Sequence, residues 1–161
     1  MLDLSKLDAG KLKLEASKGN IVSFVKGVTQ SFESLAESKE ITLKLLSEKD
    51  FIELYFDRDK MIKILTNLLS NAFKFTPEEG MITVSINENP AELFLPSFKK
   101  QEIPDQVRND KWKGSVEIKI RDTGIGIPQN EIPKLFDRFY QVDNSFTKEH
   151  EGTGIGLALT K

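Results

Sequence analysis

The stretch NLLSNAFKFTP, residues 67–77, decides the fold. It completes a helical repeat in which apolar residues recur at steps of three and four and face inward, namely Met61, Ile64, Leu65, Leu68 and Ala72. The proline that closes the stretch cannot continue a helix. The pattern therefore predicts one long helix over residues 57–75.

The segments around this helix alternate between strand and helix patterns. Residues 1–10 read as the tail of a helix closed by a glycine, and Leu12 with Leu14 suggests a short strand. Asn20 is a good N-cap for a helix with the apolar face Ile21, Val25, Val28, Phe32 and Leu35. Further strand patterns cover residues 41–45, 51–56, 82–86 and 116–120. This order predicts an α+β fold, a two-layer sandwich with helices on one face of a mixed sheet.

Residues 87–114 interrupt the pattern between two of these strands. They contain the prolines Pro90, Pro96 and Pro104 and a mostly polar tail. A connection this long inside a compact domain is a functional loop or an insertion. We expect an insertion.

Composition bounds the class of protein but not its chemistry. A chain of 161 residues suffices for one compact domain. The formal net charge of -2 gives no general attraction to nucleic acid or to anionic lipid, so we expect neither partner. The sequence has no cysteine and no apolar run near the roughly 20 residues of a membrane span, which favours a cytoplasmic domain.

A polar stripe on the predicted helix is the first candidate site. Asn67, Asn71 and Lys74 lie at i, i+4 and i+7, and hence on one helix face. A single asparagine there would be read as a solvated residue. Two asparagines aligned with a lysine favour a site for a cation and a phosphate, because amide oxygens suit Mg²⁺ that arrives with a nucleotide.

Two glycine-bearing loops follow the last predicted strand. In DTGIGIP, residues 122–128, the glycines allow close backbone approach to a ligand, and the aspartate can accept a hydrogen bond from an exocyclic amine. GTGIGL, residues 152–157, runs into an apolar helical start, where backbone N–H groups favour phosphate. Neither loop has the context of a dinucleotide fingerprint or the ending of a P-loop. Together with the polar stripe, they predict a nucleotide site.

These motifs resemble, in family order, those of the bacterial sensor histidine kinases. Residues 67–77 resemble the N box, 122–127 the first glycine box, 135–141 (LFDRFYQ) the F box and 152–157 the second glycine box. The resemblance implies the ATP-binding α/β sandwich shared with gyrase, Hsp90 and MutL. It also implies that residues 1–10 are the tail of a dimerisation and phosphotransfer helix, and that 11–161 form the catalytic domain.

The resemblance implies roles for the residues of the helix and the F box. Asn71 would coordinate Mg²⁺ with Asn67 close beside it, Lys74 would contact phosphate, and Phe75 would form an apolar wall near the adenine. Arg138 would help to neutralise charge near the transferred phosphate. Asn67, Lys74 and Arg138 are therefore the candidate catalytic residues.

It also implies roles for the loops. Asp122 would accept the adenine amino hydrogen bond, and Gly124, Gly126 and Ile127 would shape that pocket. Residues 141–151 would form a lid over the nucleotide. The phosphates would lie against the second glycine loop, which comprises Gly152, Thr153, Gly154, Gly156 and Leu157. We expect Phe136 and Phe139 to pack beneath the lid rather than to touch the ligand.

The sequence departs from the family pattern at both ends. The family's acceptor histidine lies on an upstream helix, and His150, the one histidine, lies in the lid, where we expect a solvated imidazole. The family also continues past the second glycine box with a full helix and further strands. We therefore expect a C-terminally truncated domain whose last strands are missing and which is marginally stable alone.

Three functions follow from the resemblance. The first is transfer of the ATP γ-phosphoryl group to a histidine of a dimeric phosphoacceptor domain, which then serves a response regulator. The second is a truncated, non-catalytic fragment that binds nucleotide or protein. The third, gyrase-like hydrolysis, is less favoured, because those relatives place a glutamate where this chain has Asn67.

Overall fold

The structure is a computed structural model that describes residues 13–90, 114–137, 140 and 157. In these residues the strands are β1 (Ser17–Asn20), β2 (Thr42–Ser47), β3 (Glu53–Phe56), β4 (Met81–Pro90) and β5 (Gly114–Asp122). The helices are α1 (Ile21–Gln30), α2 (Glu33–Ser38) and α3 (Arg58–Phe75), and a short 3₁₀ helix covers Ile132–Lys134. Within the same residues, no helix combines the length and apolarity needed to cross a bilayer.

The sheet is mixed, as predicted. Its described strands have the order β2-β4-β5, in which β2 runs parallel to β4 and β5 runs antiparallel to β4. A separate antiparallel ribbon pairs β1 with β3. The prediction of helices packed on a mixed sheet is confirmed.

The core lies between β4 and the helices. Ile82, Val84 and Ile86 are buried, while the alternate residues of β4 are only half-buried, so the strand buries one face. The helices cover this face with buried apolar residues, among them Ile21, Val25, Leu65, Leu69 and Phe73. The ring of Phe73 stacks on that of Phe32, with centroids 5.6 Å apart.

The helix predicted from Asn20 is in fact two helices. Asn20 caps α1 as expected, because its Oδ1 accepts a hydrogen bond of 3.1 Å from Val22 N. At Ser31 the helix ends, and the Ser31 hydroxyl donates to Val28 O at 2.6 Å, a local bond that competes with helix continuation. Leu35 lies in the second helix with 38% of its surface exposed, so its predicted place on one helical face with Ile21 and Val25 is wrong.

Two further boundaries differ from the prediction. Among the described residues the first strand begins at Ser17, and Leu14 lies in irregular chain with 58% of its surface exposed. Leu12 lies outside the described residues. The strands around the expected insertion are longer than predicted, since β4 and β5 pair as far as Pro90 and Gly114. The rest of that insertion, residues 91–113, lies outside the described residues.

α3 matches the predicted helix to within one residue, but its inward face differs. Leu65 and Ala72 are buried as predicted, and Met61 packs against the core. Ile64 and Leu68 are only half-buried and belong to no core cluster, so their inward placement is wrong. The core stripe continues instead through Leu69 and Phe73. Ile64 and Leu68 lie on the neighbouring stripe, which also carries Asn71, because residues 64, 68, 71 and 75 recur at helical spacing.

Candidate functional site

α3 begins at a carboxylate that several groups hold in place. Asp57 is the N-cap, and its Oδ1 accepts a hydrogen bond of 3.1 Å from Lys60 N. Its Oδ2 accepts one of 2.9 Å from Glu15 N and pairs with the Lys60 ammonium. The Lys60 side chain and these two backbone N–H groups hold the pKa of Asp57 far below its usual range. The start of the helix is therefore fixed by a charged cap.

The polar stripe of α3 is half-buried, as a ligand site requires. Asn67, Asn71 and Lys74 all have intermediate exposure, in contrast to the buried Leu65 and Leu69 of the core stripe. Among the hydrogen bonds between described residues, none involves the Asn71 side chain. Such an amide on a half-buried surface is favourable only with water or a ligand as partner.

The end of α3 brings a cation and an aromatic ring together. Phe75 is the last helical residue, because Thr76 is extended and a proline follows. The Lys74 ammonium lies over the Phe75 ring, with Nζ 5.1 Å from the centroid. The predicted phosphate contact and the predicted apolar wall are thus neighbours.

The first glycine loop closes directly onto this helix end. β5 ends at Asp122, whose Oδ1 accepts a hydrogen bond of 2.9 Å from Gly124 N. The next amide, Ile125 N, donates to Phe75 O at 3.2 Å. Thr123 fixes the loop from the other side, because Met81 N donates to its Oγ1 at 2.9 Å. The loop and the helix therefore form one continuous surface.

Gly124 and Gly126 meet different requirements. A Cβ on Gly124 would lie 2.4 Å from Phe75 O, so no side chain fits without movement of the loop or the helix. Gly126 has a φ of 71°, which favours glycine for conformational reasons, and an added Cβ would meet nothing within 4 Å. Ile125 and Ile127 are about half exposed, at 49% and 48%, so the loop offers an apolar surface to a ligand.

The structure brings together only part of the predicted site. Gly124 N donates to Asp122 Oδ1, and the neighbouring Ile125 N donates to Phe75 O. The same helix, α3, carries the stripe of Asn67, Asn71 and Lys74. Leu157 is half-buried. The remaining predicted residues lie outside the described residues, namely Arg138, Gly152, Thr153, Gly154 and Gly156, as do Phe139, His150 and the predicted lid, residues 141–151.

The two aromatic residues of the F box that the structure describes differ in their exposure. Phe136 leaves 42% of its surface exposed, and the predicted lid lies outside the described residues, so its packing beneath the lid stays a prediction. Tyr140 is half-buried, and the Lys134 ammonium lies 5.6 Å from its ring centroid.

The donor set around the stripe fits a magnesium ion carried by phosphates better than a metal held by protein alone. Among the described residues, no three histidine, cysteine or acidic side chains converge. Mg²⁺ commonly takes one or two protein oxygens and completes its shell with phosphates and water. The amide oxygen of Asn71 fits that mode.

Sequence reasoning missed Thr123 and Asp57 as supports of the site. Asp57 could have been found, because Asp before a helical repeat is a standard cap signal. Thr123 has no such signal, since its role depends on the pairing of β4 with β5.

Comparison with known proteins finds one matching family and several relatives with related names. Residues 56–161 match the profile of the histidine kinase-, DNA gyrase B- and HSP90-like ATPases. The chain is 35% identical over its full length to hybrid signal transduction histidine kinase D of Dictyostelium discoideum, of which it spans 9%. It is 34% identical, again over its full length, to the sensor histidine kinase WalK of Bacillus subtilis, of which it spans 23%.

A solved structure supports the fold. The catalytic domain of histidine kinase ThkA superposes with a TM-score of 0.64 at 19% identity. The match covers 90% of this chain and 76% of that chain. At this identity, the likeness concerns the fold alone.

Proposed function

Because the chain belongs to the family of histidine kinase-, DNA gyrase B- and HSP90-like ATPases, we propose that it is the ATP-binding catalytic domain of a sensor histidine kinase. It transfers the γ-phosphoryl group of ATP to a histidine supplied by a phosphoacceptor domain. The two relatives described above are named histidine kinases, but the chain spans only 9% and 23% of their lengths. The reaction therefore concerns the larger protein.

One observation carries the proposal. The first glycine loop hydrogen-bonds to the end of the asparagine-bearing helix, through Ile125 N and Phe75 O at 3.2 Å. This bond brings an aspartate carboxylate, exposed apolar side chains and a lysine ammonium to one surface. An adenine needs a polar acceptor in an apolar cleft, and a triphosphate needs cations, so the combination suits ATP.

Each residue then has a distinct task. Asp122 accepts the adenine amino hydrogen bond through its exposed carboxylate, and Phe75 covers the base. Lys74 leaves its position over the Phe75 ring to meet a phosphate oxygen. Asn71 holds Mg²⁺, which would neutralise charge on the β- and γ-phosphates, and Asn67 supports that shell.

The residues outside the described part complete the proposal. Arg138 stabilises charge on the transferred group, and the second glycine loop holds the phosphates through its backbone amides. The acceptor histidine comes from a dimeric phosphoacceptor domain, and the phosphoryl group then passes to a response regulator. With such partners, we expect the domain to act in the cytoplasm.

Nucleotide binding is the first test. Titration of the purified chain with ATP and Mg²⁺ should show binding that EDTA weakens. Asn71→Ala and Asp122→Asn should each weaken it about tenfold or more, because each removes a polar contact to a charged or buried group. Ser70→Ala and Asp59→Asn are the matched controls, since both residues are exposed on the same helix. Equal affinity in all four variants would reject the assigned site.

Phosphoryl transfer is the second test. The chain is incubated with γ-labelled ATP and a separate phosphoacceptor domain from a histidine kinase. Label that appears on the acceptor and is lost in acid but not in base identifies phosphohistidine. Binding without transfer to any acceptor domain would leave a non-catalytic nucleotide-binding module as the function.

A further inference from the structure

The C-terminal end of α3 receives a lysine from a distant part of the chain. Lys39 follows α2, and its Nζ donates a hydrogen bond of 3.1 Å to Phe73 O. The last carbonyls of a helix have no partner within the helix, and a cation at this end also interacts favourably with the helix dipole. The ammonium therefore satisfies a carbonyl in the last turn of the helix that bears the polar stripe.

The backbone around Lys39 is itself tied to the turn after α3. Glu79 N donates to Glu40 O at 3.0 Å, and Thr42 N donates to Gly80 O at 2.9 Å. Glu40 and Glu79 both have positive φ, at 53° and 63°. A non-glycine residue adopts this conformation only where the surrounding structure determines it. The lysine is thus held at a defined distance from the helix end.

The turn that Lys39 holds also forms the glycine-loop contact. Phe75 O, two residues beyond the carbonyl that Lys39 binds, accepts the hydrogen bond from Ile125 N at 3.2 Å. On the same side, the space for a Cβ on Gly124 is closed by Phe75 O at 2.4 Å. With so little free space, a small displacement of the last turn must displace the glycine loop.

We infer that Lys39 is a positioning residue of the nucleotide site. It does not touch the ligand. Its ammonium fixes the last turn of α3, and through that turn it sets the positions of Lys74, Phe75 and the Gly124–Ile125 amides. The inference rests on the proposed function, because it assumes that these groups bind ATP.

The test compares three variants of the full chain. Lys39→Met keeps the stem and removes the charge, Lys39→Arg keeps the charge, and Lys26→Met removes an exposed lysine of α1 as the control. We measure the Kd for ATP with Mg²⁺ at a temperature where each variant is folded, and the amide resonances of Gly124 and Ile125 without nucleotide. Lys39→Met should weaken binding about threefold to tenfold, as expected for one lost hydrogen bond.

The outcomes separate positioning from simple stabilisation. In the expected result, Lys39→Met also shifts the two amide resonances, Lys39→Arg restores both readouts, and Lys26→Met changes neither. A lower melting temperature with unchanged Kd and unchanged amides would overturn the inference. If Lys39→Met does not fold, Lys39→Gln replaces it. If the unmodified chain binds no ATP, the proposed function fails, and the amide resonances alone decide the role of Lys39.

Discussion

Replacement of Gly124 by alanine tests the contact on which the site depends. The added Cβ would lie 2.4 Å from Phe75 O, 2.8 Å from Asp122 Oδ1 and 2.9 Å from Phe75 C. Non-bonded carbon atoms are most favourable at about 3.5–4.0 Å. Two of the three atoms belong to the backbone of α3, so the loop has to move away from the helix.

The magnitude follows from three contributions. Overpacking of this kind costs about 1–3 kcal/mol. Movement of the loop also breaks the hydrogen bond between Ile125 N and Phe75 O, a loss of about 0.5–1.5 kcal/mol. Alanine also reduces the conformational entropy of the unfolded chain, which stabilises the folded state by about 0.4–1 kcal/mol. We expect Gly124→Ala to lower the free energy of unfolding by about 0.5–4 kcal/mol.

Two other alanine variants are the controls for this experiment. Gly27→Ala lies on the exposed side of α1 with nothing within 4 Å of the new Cβ, and it should raise stability by about 0.5–1 kcal/mol. Gly126→Ala has the same open space but a φ of 71°, so it should cost about 1–2 kcal/mol from backbone conformation alone.

Urea unfolding followed by circular dichroism measures all three free energies, and ATP titration measures the effect on binding. Gly124→Ala should weaken ATP binding as well as folding, because the Asp122 carboxylate has to move with the loop. Stability and affinity equal to those of the unmodified chain would refute the reasoning.

Two further variants test the core and the helix cap. Phe73→Ala removes a ring that is 1% exposed and stacked on Phe32, so it should cost about 3–5 kcal/mol in urea unfolding. Phe51→Ala, at 63% exposure, should change stability by less than about 0.5 kcal/mol. Asp57→Asn should destabilise the chain at pH 7, because the partners described above favour the carboxylate in the folded state. Since the folded pKa is lowered, this contribution is complete above the unfolded value of about 3.9 and disappears at lower pH. In urea unfolding, the loss of unfolding free energy caused by Asp57→Asn should therefore be constant from pH 7 to pH 5 and become smaller below about pH 4. A loss that becomes larger as the pH falls would contradict this expectation.

The elements that the sequence predicts best are those with local signals. The predicted bounds of α3 agree with the structure to within one residue, because its apolar repeat and the following proline both lie within the segment itself. β1 was misplaced, since its position depends on pairing with β3, which is distant in the sequence. The break between α1 and α2 lies at Ser31, whose hydroxyl bonds to Val28 O, and serine is a residue type that helices also tolerate.

The candidate site divides in the same way. The stripe of Asn67, Asn71 and Lys74 follows from helical spacing, and the glycine loops are visible as motifs. The contact between Ile125 and Phe75 could not be predicted, because it joins two backbone groups whose residue types carry no signal. Lys39 was equally hidden, since a lysine before a strand is usually a solvated residue.

The parallel pairing of β2 with β4 has a consequence for how the domain folds. These strands are neighbours in the sheet, yet the chain between them includes β3 and the whole of α3. Parallel strands need such a crossover, and the chain loses the entropy of closing it before the contacts between the strands can form. The pairing of β2 with β4 therefore requires that the segment carrying Asn67 and Asn71 is already confined between the two strands. Folding and assembly of the helix side of the site are one event, and a nucleotide that binds only the folded chain shifts that event in its favour by mass action.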